Sequence, residues 1–126
     1  MPDAKRVEAF MAAVEAGDYD GAIERFYAPD ASMRENTLSQ PRVGREALVA
    51  HERMVMAQFP TIIARRMAEP AISGDQVAIH WRFEFQTADG ARRVMEEIAW
   101  QTWRGAEIAE EVFFYDPAQM AAAAVS

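Results

Sequence analysis

The chain is predicted to be an α+β domain, with helices first and a curved antiparallel sheet last. Three observations carry that reading. Val77 to Phe85 alternates strictly, with apolar residues at 77, 79, 81, 83 and 85, the period of a strand with one buried face. Ala88-Asp89-Gly90-Ala91 and Arg104-Gly105 are turn signals that divide Gln76–Asp116 into a meander. Before Pro60 the apolar residues instead recur at helical spacing. A twisted sheet of this kind curls. Three N-terminal helices laid against its concave side would leave a cone with a pocket in its mouth.

The elements follow in order. Pro2 or Asp3 starts the first helix, whose stripe is Val7, Phe10, Met11 and Val14, and Gly17 ends it. An Asp of Asp18-Tyr19-Asp20-Gly21 would cap a short second helix carrying Ile23, Phe26 and Tyr27, broken at Pro29-Asp30. Ala31–Asn36 is a short strand, and Thr37–Gly44, with Pro41 and Gly44, is an irregular loop suited to a rim. The third helix runs from Arg45 to Phe59 and buries Leu48, Val55, Met56 and Phe59. His51 and Glu52 lie three and four residues after Leu48, so at least one of them points to the apolar side. Thr61–Ile72 is a less regular strand with Pro70 near its end, and Ser73-Gly74-Asp75 turns into the meander. Its three strands are Val77–Phe85, Arg92–Trp103 and Ile108–Tyr115; the Ala-rich tail from Ala118 to Ser126 is a short helix or frayed.

Composition narrows the function. At 126 residues and 51% hydrophobic, residues 1–126 form one domain with a real core. With no cysteine there is no disulfide, thiolate ligand or thiol nucleophile. His51 and His80 are too few for an all-histidine metal site, and no loop has the EF-hand pattern; a carboxylate site for a hard cation stays open. No metal or cofactor is expected. A net charge of -7 argues against nucleic acid or an anionic membrane as partner. No apolar run reaches the length of a membrane span, and Met1–Arg6 leads straight into an amphipathic helix, so the expectation is a soluble cytoplasmic protein.

Several motifs point to one family. Ala16-Gly17-Asp18-Tyr19-Asp20-Gly21 followed by Phe26-Tyr27-Ala28-Pro29-Asp30-Ala31 resembles the opening of the nuclear-transport-factor-2-like (NTF2-like) superfamily. Arg42-Val43-Gly44-Arg45-Glu46-Ala47-Leu48 is similar to the loop entering that family's third helix. Trp103-Arg104-Gly105-Ala106-Glu107-Ile108 and Phe114-Tyr115-Asp116-Pro117 resemble its last hairpin, in the form found in SnoaL-like polyketide cyclases. The resemblance spans roughly residues 5–117 and implies the cone fold. That fold serves isomerases, cyclases, epoxide hydrolases, dehydratases and non-catalytic binders.

The resemblance also nominates residues. Glu35 stands where a ketosteroid isomerase has its catalytic Asp base. A carboxylate there can move a proton beside a carbonyl if an apolar pocket raises its pKa. The isomerase's oxyanion donors do not carry over: Phe10 replaces the tyrosine and Ala99 the protonated Asp, which argues against that steroid mechanism. The family register turns Glu97, Gln101 and Trp103 inward, and Glu111, Phe113 and Tyr115 on the last strand. Glu111 is nearest to the acid/base residue of the cyclases. From the residues alone, Glu96-Glu97 and Glu110-Glu111 place one carboxylate on each face of their strands whatever the register, so an inward Glu is either catalytic or incidental. Two carboxylates in one apolar cavity would drive their pKa values apart. The Asp-Arg-Asp pattern of the epoxide hydrolases is broken at Glu97 and Ala99, with Asn36 as a leftover helper.

His51 is a ligand contact or a half-exposed core residue. Phe10, Met33, Met56, Trp81, Phe83, Met95, Trp103 and Phe113 would line the cone and suit an apolar, planar ligand. His80, Arg82, Glu84 and Gln86 alternate onto the convex face, which in this family often meets a second subunit, so a homodimer is expected. The readings that remain are a cofactor-independent isomerase, cyclase or dehydratase acting on a hydrophobic carbonyl compound, with Glu35, Glu97 and Glu111 as its acids and bases, and a non-catalytic ligand-binding or dimerisation module.

Overall fold

A computed structural model describes residues 1–122. The first helix, α1 (Ala4–Glu15), is capped by Asp3, whose Oδ1 accepts from the Lys5 amide at 2.8 Å. It buries Val7, Phe10, Met11 and Val14, the predicted stripe. Helix α2 (Tyr19–Phe26) follows. Asp18 stands at its N-cap as expected and its carbonyl accepts from the Ala22 amide at 2.8 Å, but its carboxylate makes no capping bond; it pairs with Arg25 at 2.8 Å and lies over Gly21. A Cβ at Gly21 would sit 2.2 Å from Asp18 Oδ1, so any other residue there would displace the Asp18 carboxylate from its present position.

Strand β1 (Tyr27–Glu35) starts earlier than expected and takes Tyr27 out of the helix. Pro29-Asp30 does not separate it from α2 but lies within it, where the pairing with the last strand is irregular. Strand β2 (Arg42–Val43) sits inside the predicted loop and pairs with β1. Gly44, at φ 100°, then admits helix α3 (Arg45–Gln58). The predicted Thr61–Ile72 strand is two pieces, β3 (Thr61–Arg66) and β4 (Ala71–Ser73), both paired with β5 (Gln76–Gln86). Pro70 lies between them and has no amide for a ladder. Strands β6 (Arg92–Arg104) and β7 (Glu107–Phe114) complete the meander, and helix α4 (Ala118–Ala122) follows. The tail beyond it, residues 123–126, lies outside the described residues.

The seven-stranded sheet has the order β2-β1-β7-β6-β5-β3, with β4 beside β5. Every pair is antiparallel except β1–β7, which is parallel. Arg66 on β3 binds Glu8 and Glu15 of α1, and Arg6 lies 4.1 Å over the Phe26 ring, so charged residues tie the helices to the sheet and to each other. The main core gathers α1, α2 and the inner face of β5, β6 and β7 around Phe10, Trp81 and Trp103.

One irregularity positions the site. Along β7 the buried Ile108 would place 110 and 112 on the inner face at strict period two. The pairing instead steps from Trp103↔Ile108 to Thr102↔Glu110, an extra residue at Ala109. This bulge turns Glu111 inward, 1% exposed, and leaves Glu110 in solvent.

Candidate functional site

Between the helices and the concave face lies a cavity of about 430 Å³. Phe10 and Val14 of α1, Tyr19 of α2, Val55 of α3 and Phe59 just after it form one wall. Trp81, Phe83 and Phe85 of β5, Met95 of β6 and Phe113 of β7 form the other. Into these apolar walls project four carboxyl groups: Glu35, Glu52, Glu97 and Glu111. Arg42, His51 and Tyr115, all half-buried, complete the polar lining with Tyr27.

Glu111 is wired in place. The Tyr27 hydroxyl donates to its Oε1, and Gln101 Nε2 donates to its Oε2 at 2.7 Å. Trp103 Nε1 donates to Gln101 Oε1 at 2.9 Å. An indole can only donate, so Trp103 fixes which end of Gln101 faces the carboxylate. Burial pushes Glu111 up to about 7, against the pull of the Gln101 and Tyr27 donors; the charge of Glu52 adds to the rise. Burial and the negative charge of Glu111 hold the Tyr27 phenol well above its ordinary range, so it remains a donor.

Glu97 is the opposite case. It is 7% exposed, and its Oε2 is buried with no hydrogen-bond partner among the described residues. Burial first, then the charges of Glu111, Glu52 and Glu35, hold it well above the carboxylate range. Its surroundings therefore favour the protonated form, the form that can donate. Glu52, on α3 opposite the sheet, is pushed up to about 7 by burial and by the charge of Asp20. His51 beside it is lowered by burial and by Arg42, with Glu35 acting the other way. Its imidazole is uncharged at neutral pH. The Tyr115 phenol is raised by burial and by the charges of Glu35 and Glu97.

Of the residues nominated from sequence, Glu35, Glu97, Glu111, Phe10, Met33, His51, Trp81, Phe83, Met95, Phe113 and Tyr115 line the cavity. Four nominees do not. Asn36 faces Tyr115 instead, donating to its carbonyl at 3.2 Å and so extending the β1–β7 pairing. Met56 packs against the core to one side, because α3 presents His51, Glu52, Val55 and Gln58 as its cavity stripe. Gln101 and Trp103 are buried behind Glu111 and act through it.

Tyr27 was missed, read as helix core. The available signal was chemical: a buried tyrosine hydroxyl needs a partner. Arg42 was overlooked as part of the lining. No group of three or more His, Asp or Glu among the described residues is arranged to hold a metal ion. No described helix is long and apolar enough to cross a membrane.

A family model described as a SnoaL-like domain matches residues 7–111. The chain belongs to the SnoaL-like family. No curated protein matches the sequence significantly. Solved structures do resemble this SnoaL-like protein over nearly its whole length. A protein from Mesorhizobium loti assigned as a SnoaL-like polyketide cyclase is 26% identical, covering 91% of this chain and 100% of its own, with a TM-score of 0.74. IdmH, assigned as a polyketide cyclase, from Streptomyces antibioticus, is 21% identical over 94% of this chain and 95% of its own, with a TM-score of 0.77. A protein of ketosteroid-isomerase-like fold from Catenulispora acidiphila, in complex with trimethylamine, is 20% identical over 94% and 91%, with a TM-score of 0.80. The NTF2-like cone expected from the sequence is thus the fold of its structural neighbours.

Proposed function

We propose that this SnoaL-like protein binds a hydrophobic aromatic or polycyclic carbonyl compound in the cavity and moves protons on it without a cofactor. The observation that carries this reading is the contrast between Glu97 and Glu111: two carboxyls of one cavity, one with a buried unpartnered oxygen, one wired by two donors. Pairs driven apart in this way divide into acid and base. The Glu111 carboxylate takes a proton from carbon next to the carbonyl, and Glu97 donates to the carbonyl oxygen as it gains negative charge. Glu111 then returns the proton to a different carbon while Glu97 takes its own proton back from the enol oxygen, which completes an isomerisation and restores both groups. In a dehydration Glu97 instead gives its proton to the departing hydroxyl. Glu35, half-buried at the cavity edge, is a second base for a larger ligand.

Exchange of the α-protons of 1-tetralone in deuterated water, followed by NMR, tests proton transfer without a known substrate. Exchange above background that Glu111→Gln abolishes is expected. Binding without exchange would favour the rival reading, a non-catalytic binding module.

The convex face supports the homodimer. Ile98, Trp100 and Phe114 are exposed there, at 38%, 45% and 48%, with Ile98 opposite Phe114 in register. Such a patch favours a self-complementary contact. Light scattering should give a dimer that Trp100→Arg dissociates. We propose a cytoplasmic location, the expectation already drawn from the sequence.

A further inference from the structure

The charges lining the cavity do not balance. Glu35 comes from β1, Glu52 from α3, Glu97 from β6 and Glu111 from β7. Arg42 of β2 is the only Lys or Arg lining the cavity among the described residues. His51 is uncharged at neutral pH, and Tyr19, Tyr27 and Tyr115 are phenols that remain protonated. Behind α3, Asp20 is already paired with Arg53 at 3.1 Å. The residues of α1, β3 and β5 that line the cavity are apolar.

Three of these acids, Glu52, Glu97 and Glu111, thus share apolar walls, and none of them has an ion pair with Lys or Arg among the described residues. Glu97 lines this space at 7% exposure, and its Oε2 is buried with no hydrogen-bond partner among the described residues. A buried acid without a partner is costly unless something supplies one. The walls beside it are the aromatic faces of Trp81, Phe83 and Phe113, which attract cations.

We propose that the ligand of this cavity carries a basic nitrogen, bound as a hydrophobic ammonium ion between Glu52, Glu97 and Glu111 and the aromatic walls. This deepens the reading above and rests on it, since it adds a charge to the same carbonyl-bearing ligand. The protein's net charge of -7 draws such a cation in. Binding is linked to protons: an entering cation ionises a carboxyl, and one proton leaves for each carboxyl so ionised. Glu52 and Glu111 are both pushed up to about 7, so affinity for the cation rises as pH passes from 6 to 8.

The test pairs two probes of one shape. Benzyltrimethylammonium is a permanent cation with no titration of its own, and neopentylbenzene is its neutral carbon isostere. Trp81 fluorescence reports occupancy, and calorimetry in buffers of different ionisation enthalpy counts the protons released. At pH 8 the cation should bind roughly tenfold or more tightly than the isostere, and the preference should shrink below pH 6. Glu52→Gln and Glu97→Gln should each weaken the preference for the cation over neopentylbenzene; thermal melting confirms that they fold. Equal binding of both probes at pH 8, or cation binding at pH 6 to 7 without proton release, overturns the proposal. If 1-tetralone exchange persists while the cation preference is absent, only the ligand class falls. If exchange is absent and the preference stands, proton transfer falls and the amine site remains.

Discussion

The two faces of β6 carry the same residue in adjacent positions and put it to opposite uses. On the convex face Glu96 Oε1 lies 2.8 Å from His80, and its neighbour Glu84 pairs with Arg82 and Arg92, whose hydrogen bonds lower its pKa. On the concave face Glu97 has no ion pair among the described residues, and burial and other acids raise its pKa well above the carboxylate range. The convex carboxylates are solvated and paired, and such pairs contribute little to stability. The concave ones are kept out of water, where their protonation is finely set. The lesson is that a carboxylate's chemistry here comes from the face it occupies, and one step along the strand exchanges the two roles.

The comparison yields tests of decreasing size. Glu111→Gln should slow 1-tetralone exchange at least about a hundredfold, by removing the base. The matching change outside, Glu110→Gln, should leave the rate within about twofold, because Glu110 faces solvent across the bulge.

Stability against pH comes next. Glu111 rises from an ordinary 4.5 to about 7 on folding, so the folded state holds its proton more tightly than the unfolded chain. Its penalty is absent below the unfolded value, grows as pH rises from 4.5 to about 7, and is full above that. Urea unfolding should therefore give a higher stability at pH 5 than at pH 7.5, by on the order of 3 kcal/mol for Glu111. Glu111→Gln should flatten that slope. Lowered groups of the outer surface such as Glu84 act below this window, with the opposite sign.

A smaller loss is expected from Trp103→Phe, which leaves Gln101 Oε1 unpaired and free to turn. We expect about 1–3 kcal/mol of destabilisation by thermal melting, together with a fall in exchange rate as Glu111 loses its fixed donor. The smallest effect belongs to Glu96→Gln on the convex face: within about 0.5 kcal/mol, with exchange unchanged. A large loss of exchange there would erase the distinction between the faces.

Much of this architecture was legible beforehand. The alternation of Val77 to Phe85 and the stripe Val7, Phe10, Met11 and Val14 are short-range patterns, and both elements appear with the expected faces buried. Glu52 was half legible, since its spacing from Leu48 aimed it or His51 at the apolar side, and both line the cavity. Asn36 misled because an amide near a catalytic position looks like a ligand contact, whereas its geometry serves the backbone of Tyr115. Tyr27 was hidden because its partner lies on β7, far away in sequence.

Local periodicity thus settled the helices, the meander and the existence of one inward carboxylate per strand, because period and turn chemistry are properties of neighbouring residues. Which of Glu110 and Glu111 enters the cavity was settled by the bulge at Ala109, and a bulge exists only where two strands are paired. Tertiary packing also decided that Glu52, Glu97 and Glu111 share one space and that Glu97 alone of them lacks a hydrogen bond at a buried oxygen. Desolvation and mutual repulsion depend on distances through space, and those arise only when helix and sheet close over the same cavity.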